Sequence, residues 1–173
     1  IELQGAQHLP NLKELHLSGC IKLSEVNLKK ILLNFTQLTC LNLSYTNISG
    51  LMWRCLKQET SLKKLNLTGC DNLTEDGINE ILNTYPELID LSLRSTNIND
   101  TMCNELNTNT FLKMLNLSRC QGLTPVGVIL ILTKYPQLKH LNLSNTQITD
   151  DVVQFLAKNN KSLLSLNLRN THI

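Results

Sequence analysis

The sequence predicts an α/β solenoid, with parallel strands along a concave face and helices along a convex face. Two observations lead to this prediction. A short leucine frame returns seven times at nearly constant intervals, and stretches with the apolar spacing of a helix lie between its copies. Repeats of this length bury their apolar faces against their neighbours, so the array forms one domain however many units it contains.

The frame is clearest at residues 62–70, which read L-x-x-L-x-L-x-x-C; we number its residues as positions 1 to 9. A period of roughly 20–29 residues with this leucine spacing is the signature of the leucine-rich repeat. We therefore expect one leucine-rich-repeat domain over residues 1–173, a horseshoe with a partial repeat at 1–11, about seven repeats at 12–173 and two truncated ends. The copies are spaced by 26, 24, 26, 24, 26 and 25 residues and begin at Leu12, Leu38, Leu62, Leu88, Leu112, Leu138 and Leu163.

Each copy of the frame predicts a strand. At residues 62–68, Leu65 and Leu67 alternate with Lys64, Asn66 and Thr68. Alternation with a period of two places the leucines on one face of a strand and the polar residues on the other. Stacked parallel strands then bury the leucines against the helices and line the concave face with the polar residues.

A helix is predicted after each frame of the longer repeats. Behind the frame at 62–70, Thr74 is a suitable N-cap, because its hydroxyl can accept an orphan backbone N–H. Apolar residues then recur with helical spacing from Ile78 to Tyr85, and Pro86 ends the helix.

The repeats of 24 residues carry threonine instead of cysteine at position 9, and we expect shorter helices in them. The helices of the threonine repeats are expected to begin near Ser49, Asn99 and Thr149. At the start of the chain, residues 3–9 are expected to form the end of a convex helix from a preceding repeat.

Cys20, Cys70 and Cys120 occupy position 9 of alternate repeats. Positions two repeats apart lie ~9–10 Å apart at strand spacing, whereas a disulfide needs Cα atoms within ~7 Å. These cysteines are therefore expected to be reduced. Because threonine takes the same position in the other repeats and is a poor ligand for soft metals, we expect position 9 to bond buried backbone carbonyls. No metal and no cofactor is predicted.

Residues 70–88 read C-x-x-L-T-x-x-G-I-x-x-I-L-x-x-Y-P-x-L, and the repeat that follows Cys120 matches this pattern again. The pattern resembles the cysteine-containing class of leucine-rich repeats, best known from F-box/leucine-rich-repeat substrate receptors of ubiquitin ligases. Similar repeats occur in effectors that intracellular bacterial pathogens deliver into host cells. The class usually has a second cysteine before the proline, where this chain has Phe35, Tyr85 and Tyr135, and the chain contains no F-box.

The resemblance implies a protein–protein interaction module that binds its partner through the concave sheet. It would be the substrate-recognition domain of a ubiquitin-ligase receptor or a translocated effector. Two alternatives stay open. In the first, the repeats are the non-catalytic targeting arm of an enzyme whose catalytic domain lies outside this chain. In the second, they are a structural module that packs on its own protein.

Composition narrows the partner class. The net charge of +2 is too small to indicate nucleic acid or an anionic membrane. No apolar run approaches the ~18 residues that a membrane span needs. No catalytic triad, carboxylate pair or phosphate-binding glycine loop is present, so we expect no enzymatic activity. Glycosylation sequons fall within the strands, as at Asn42, Asn66 and Asn116. They favour an intracellular, cytoplasmic protein (host cytoplasm for an effector), expected to be a monomer.

The partner should contact the residues that depart from the repeat on the concave face. Tyrosine and arginine are enriched in interface hot spots, and Arg94 and Arg119 fall in adjacent repeats, where they can form one basic patch. The predicted partner-binding residues are Glu14, His16, Tyr45, Lys64, Asp90, Arg94, Met114, Arg119, His140 and Arg169. Position 5 is mostly asparagine, which indicates either a polar ladder that keeps the sheet soluble or a hydrogen-bonding platform for a partner.

Overall fold

The computed structural model describes residues 9, 11–56, 62–108 and 111–173. Within them, seven short strands form one sheet in chain order, each parallel to the next. The strands are β1 Glu14–His16, β2 Cys40–Asn42, β3 Lys64–Asn66, β4 Asp90–Ser92, β5 Met114–Asn116, β6 His140–Asn142 and β7 Ser165–Asn167. The register aligns equal positions of the frame, so that Leu15, Leu41 and Leu65 lie side by side.

Helical segments connect the strands on the opposite side of the sheet from its polar face. The α-helices are α1 Glu25–Asn34, α2 Glu75–Thr84, α3 Asp100–Glu105, α4 Pro125–Lys134 and α5 Asp150–Asn159, and a 3₁₀ helix spans Leu51–Cys55. The predicted α/β leucine-rich-repeat solenoid is confirmed. The partial repeat expected at residues 3–9 lies almost entirely outside the described residues.

The leucines of the frame form the core. Leu41, Leu43, Leu65 and Leu67 are at most 2% exposed. Burying each such side chain stabilises the fold by roughly 1.5–3 kcal/mol relative to leaving it in water. Because the same positions align in every strand, each repeat shares this burial with both of its neighbours.

The helix boundaries follow the predicted caps. The Thr74 hydroxyl accepts the backbone N–H of Gly77 at 3.0 Å, and α2 ends at Thr84, just before the Tyr85-Pro86 pair. Asn99 caps α3 through the N–H of Met102, also at 3.0 Å. The helix of the second repeat is short, as predicted, and so is α3. The 25-residue repeat that begins at Leu138 instead carries the ten-residue α5.

The helix expected near Ser49 begins at Leu51 and is a 3₁₀ helix rather than an α-helix. Gly50 precedes this helix in the left-handed region, at φ +90°, which an α-helical first turn excludes. A carboxylate oxygen of Glu25 holds the bend, accepting from the backbone N–H groups of Ser49 and Gly50 at 2.6 and 3.0 Å.

Position 9 bonds backbone carbonyls, as predicted, and does so in pairs of repeats. The Leu43 carbonyl accepts both the Thr46 hydroxyl at 2.6 Å and the Cys70 thiol at 3.2 Å. The Leu93 carbonyl is shared in the same way by Thr96 and Cys120. Burial raises the pKa of the Cys70 thiol above its usual range, so the thiol stays protonated and able to donate.

Candidate partner-binding face

The polar face of the sheet, which we call the concave face, carries positions 3, 5 and 7 of the frame. Position 3 holds a different residue in every repeat, although the leucines on either side of it hardly change. In strand order, position 3 is Glu14, Cys40, Lys64, Asp90, Met114, His140 and Ser165. Cys40 and Asp90 are half-buried and the other five are exposed. The regular sheet thus carries one row of side chains that differ in charge, size and polarity from strand to strand.

Position 5 is a row of asparagines with a shared hydrogen bond. The Oδ1 atom of Asn42 accepts the backbone N–H of Ser44 at 3.0 Å, two residues further on. The same bond recurs at Asn66, Asn116, Asn142 and Asn167. An oxygen must face each N–H, so the side-chain NH₂ group is directed away from the turn. The asparagine oxygens therefore hold the turns beyond the strands, and a hydrogen-bonding platform for a partner stays a prediction.

Two shallow depressions adjoin on the concave face. One, of about 260 Å³, is lined by Met114, Asn116 and His140 among others. The second, of about 220 Å³, is lined by His16, Cys40 and Lys64 among others. Both include Asp90 and Ser92, so β4 forms the ridge between them.

Asp90 stands on this ridge, near the side chains of Lys64 and His140. Its partial burial raises the pKa of its carboxyl above the usual range, while the charges of Lys64 and His140 act in the opposite direction. Lys64 lies beside Asp90 in the sheet register, and Met114 lies on its other side. At the first strand, the side chains of Glu14 and His16 approach to 3.8 Å and both are largely exposed.

Position 8 lies in the turn beyond each strand, where all seven residues have a positive φ. Glycine fills this position at Gly19 and Gly69, and asparagine fills it at Asn145 and Asn170. Both residue types accept the left-handed conformation more readily than others. Glycine and asparagine at this spacing were the signal in the sequence that could have predicted the turn.

Tyr45 and Arg119 adopt this conformation with large side chains, at φ +56° and +62°, and both are exposed. The structure therefore places these two predicted contact residues on the turns that border the sheet. Arg94 and Arg169 occupy position 7, immediately before such turns; Arg94 is half-buried and Arg169 exposed.

The sheet brings some of the predicted residues together and separates others. Arg94 and Arg119 lie on neighbouring strands, and the backbone bond from Ser95 N to Ser118 O, at 2.9 Å, keeps their turns in register. His16 and His140 lie five strands apart, roughly 24 Å at strand spacing. Among the described residues, no cluster of histidine, cysteine or acidic side chains could hold a metal ion.

Three stretches of the chain, residues 58–82, 108–132 and 136–157, match the family model described as Leucine Rich repeat. With the seven parallel strands and their helices, this match shows an α/β leucine-rich-repeat solenoid. No curated protein matches these repeats in sequence. Across the part of the chain that the structure describes, no helix is long and apolar enough to cross a membrane.

Among solved structures, the leucine-rich repeats resemble the protein in the crystal structure of a TLR13–ssRNA13 complex. The TM-score is 0.56 and the sequence identity 20%, over 96% of this chain and 30% of that one. The chain thus spans less than a third of the length of that protein. A likeness at this identity shows the fold, which agrees with the sheet and helices described above.

Proposed function

We propose that this leucine-rich-repeat chain is a non-catalytic module that recognises a protein partner through its concave face. The observation that carries the proposal is position 3, where seven different side chains stand in register on an otherwise repetitive sheet. A row that only kept the sheet soluble could use one polar residue throughout, as position 5 nearly does. Leucine-rich repeats are commonly binding scaffolds, which supports the proposal.

We further propose that the module recognises substrates for a ubiquitin-ligase receptor or serves as a translocated bacterial effector. The cysteine-containing pattern at residues 70–88 supports this role. Both roles place the chain in the cytoplasm. The strand sequons agree, because a glycan on Asn42 or Asn66 would cover the proposed binding face.

The test is affinity capture from eukaryotic cell lysate with matched variants. Met114→Glu with His140→Glu lowers the net charge by about two in the larger depression and changes exposed side chains only. The control, Lys30→Gln with Gln154→Glu, makes the same charge change on exposed positions of α1 and α5.

A partner that binds the wild type and the control, and is lost with the concave variant, supports the proposal. Circular dichroism should be the same for all three proteins. Equal loss with both variants, or retention by both, would show that the concave face is not the partner surface.

A further inference from the structure

We propose that the border of the concave face at the carboxyl ends of the strands binds an acidic peptide segment of the partner. Arg94 and Arg119 would bind its carboxylates, with Tyr45 beside them. We call this border the rim, defined as positions 7 and 8 of the seven repeats. The inference rests on the proposed function and identifies the chemistry of the partner at one part of that face.

Charge is segregated along the strands. The rim contains three arginines and no acidic residue. Asp90, at position 3 of its strand, precedes Arg94 by four residues, roughly 13 Å along the chain. Asp71, in the turn behind β3, is the nearest acidic residue in the sequence to the rim of that repeat. Within the described residues, the side chains of Arg94 and Arg119 make no ion pair, so their charges are available to a ligand.

Two lysines at position 2, on the opposite border of the sheet, differ from the rim arginines in that they have partners. Lys63 is paired with Glu87, and Lys13 donates to the side-chain oxygen of Gln37 at 3.1 Å. These two cations join β1 and β3 to the loops that precede β2 and β4. The rim arginines have no such use.

Backbone conformation sets Arg119 and Tyr45 apart as well. A non-glycine residue in the left-handed region costs of order 1–3 kcal/mol, and such outliers are found mainly at functional sites. Glycine avoids this cost at position 8 in Gly69 and asparagine lowers it in Asn145, whereas the small Ser95 also adopts the left-handed conformation. Two large side chains therefore occupy strained positions where the fold itself favours small ones.

The rest of the rim offers hydrogen-bond donors to an acceptor-rich ligand. The asparagine NH₂ groups of position 5 border it, and their oxygens are already bonded, as at Asn116 and Asn142.

The spacing suits an extended peptide. Neighbouring strands lie ~4.8 Å apart and the chain rises ~3.3 Å per residue, so the Cα atoms of Arg94 and Arg119 are roughly 6 Å apart. Side chains two residues apart on an extended peptide are separated by about 7 Å. Two acidic residues with one residue between them can thus each meet one guanidinium, whose fork geometry matches a carboxylate.

The same features disfavour single-stranded nucleic acid. Such sites combine a basic groove with several aromatic side chains on which successive bases stack. Tyr45 is the one aromatic residue of the rim, so a single strand laid along it would find only one side chain on which a base could stack.

The test is an NMR titration of the ¹⁵N-labelled chain with octaglutamate, octaglutamine and octauridylate. We expect octaglutamate to shift the amides of Ser95 and Arg119 and the side-chain Nε–H signals of Arg94 and Arg119. Octaglutamine should shift neither. Arg94→Gln with Arg119→Asn should weaken octaglutamate binding about tenfold or more, as expected for loss of charge-assisted hydrogen bonds. Lys113→Gln with Lys139→Gln removes the same charge at position 2, on the opposite border, and should change binding less than about twofold.

Absence of octaglutamate shifts, or equal weakening by both double variants, would overturn the assignment to the rim. Octauridylate that shifts the same residues at lower concentration would replace the acidic peptide by nucleic acid. These results are independent of partner capture with the Met114 and His140 variants. If octaglutamate fails while that capture still depends on the concave face, the inference is wrong and the proposed function stands.

Discussion

The aromatic ring of Tyr45 lies directly over Gly69 of the next repeat. A Cβ atom on Gly69 would be 2.5 Å from the ring carbon Cδ1 and 2.6 Å from Cε1, closer than such atoms can approach. Two features therefore require glycine at position 69, its φ of +65° and the aromatic ring above it. The ring of the exposed Tyr45 thus reaches across to the turn of the next repeat.

Gly69→Ala and Gly19→Ala form a matched pair that separates these two requirements. Gly19 has a similar φ of +70°, but a Cβ there would meet nothing within 4 Å. Both variants should lose about 1 kcal/mol of unfolding free energy from the left-handed backbone, measured by urea denaturation. Only Gly69→Ala should displace the Tyr45 ring.

The displacement can be read from NMR. In the wild type, the ring current of Tyr45 should move the Hα signals of Gly69 upfield, and Tyr45→Ala should abolish that shift. Gly69→Ala should weaken octaglutamate binding, whereas Gly19→Ala should leave it unchanged. Equal affinities for the two alanine variants would show that the position of the tyrosine ring does not matter for the rim.

Exchanging the residues at position 8 of two turns tests whether the strained backbone of Arg119 lowers stability without having a structural role. Arg119→Asn places at position 8 the residue that stands at Asn145, so its stability should be unchanged or rise by up to about 1 kcal/mol. Asn145→Arg should cost about as much. Both are measured by urea denaturation. If Arg119→Asn proved clearly destabilising, Arg119 would have a structural role and the strain argument would fail.

Much of this architecture could be predicted from the sequence. The leucines that are buried recur at fixed positions in each strand and in each repeat, so the pattern alone reveals the strands. The turn at position 8 was harder to predict. Tyr45 and Arg119 are poor left-handed residues, so only alignment with Gly69 and Asn145 reveals their backbone. The 3₁₀ form of the helix after Ser49 was not predicted, because the Glu25 carboxylate that holds the bend belongs to the preceding repeat. The bond from each asparagine oxygen to the backbone N–H two residues on also depends on the turn. The alternation of leucines and polar residues along the strand does not predict that turn.

The shared carbonyl of Leu43 predicts non-additive effects at position 9. Thr46→Val leaves the Cys70 thiol bonded to this oxygen, and Cys70→Ala leaves the Thr46 hydroxyl, so each change removes one of two donors. The double variant leaves a buried acceptor without either donor, which costs about 1–3 kcal/mol. In a thermodynamic cycle of urea denaturation, the double variant should lose more than the sum of the single losses.

The pair at Leu93, with Thr96 and Cys120, serves as an independent repetition of the cycle. A cavity left by the truncated cysteine adds a cost to each Cys→Ala variant, but it enters the single and double variants equally. Simple additivity in both pairs would mean that the two donors do not substitute for each other.

Asp90 predicts a stability that depends on pH with a defined sign. Burial raises the pKa of its carboxyl in the folded chain above the unfolded value of about 3.9. The folded state therefore disfavours the ionised form, and this cost is present at neutral pH. As the pH falls through the folded pKa, the folded chain takes up the proton first, so the cost declines and disappears below the unfolded value. Asp90→Asn should unfold at higher urea concentration than the wild type at pH 7.

The advantage of Asp90→Asn should shrink as the pH is lowered and vanish near pH 3, which paired urea denaturation curves will show. Lys64→Gln removes a charge that lowers the pKa of the Asp90 carboxyl. In that background the Asn variant should gain more at pH 7 than in the wild type, because the ionised carboxylate has lost a favourable neighbour. If Asp90→Asn were destabilising at pH 7, the attraction of Lys64 would outweigh burial, and Asp90 would be an ion-pair partner that fixes the ridge between the two depressions.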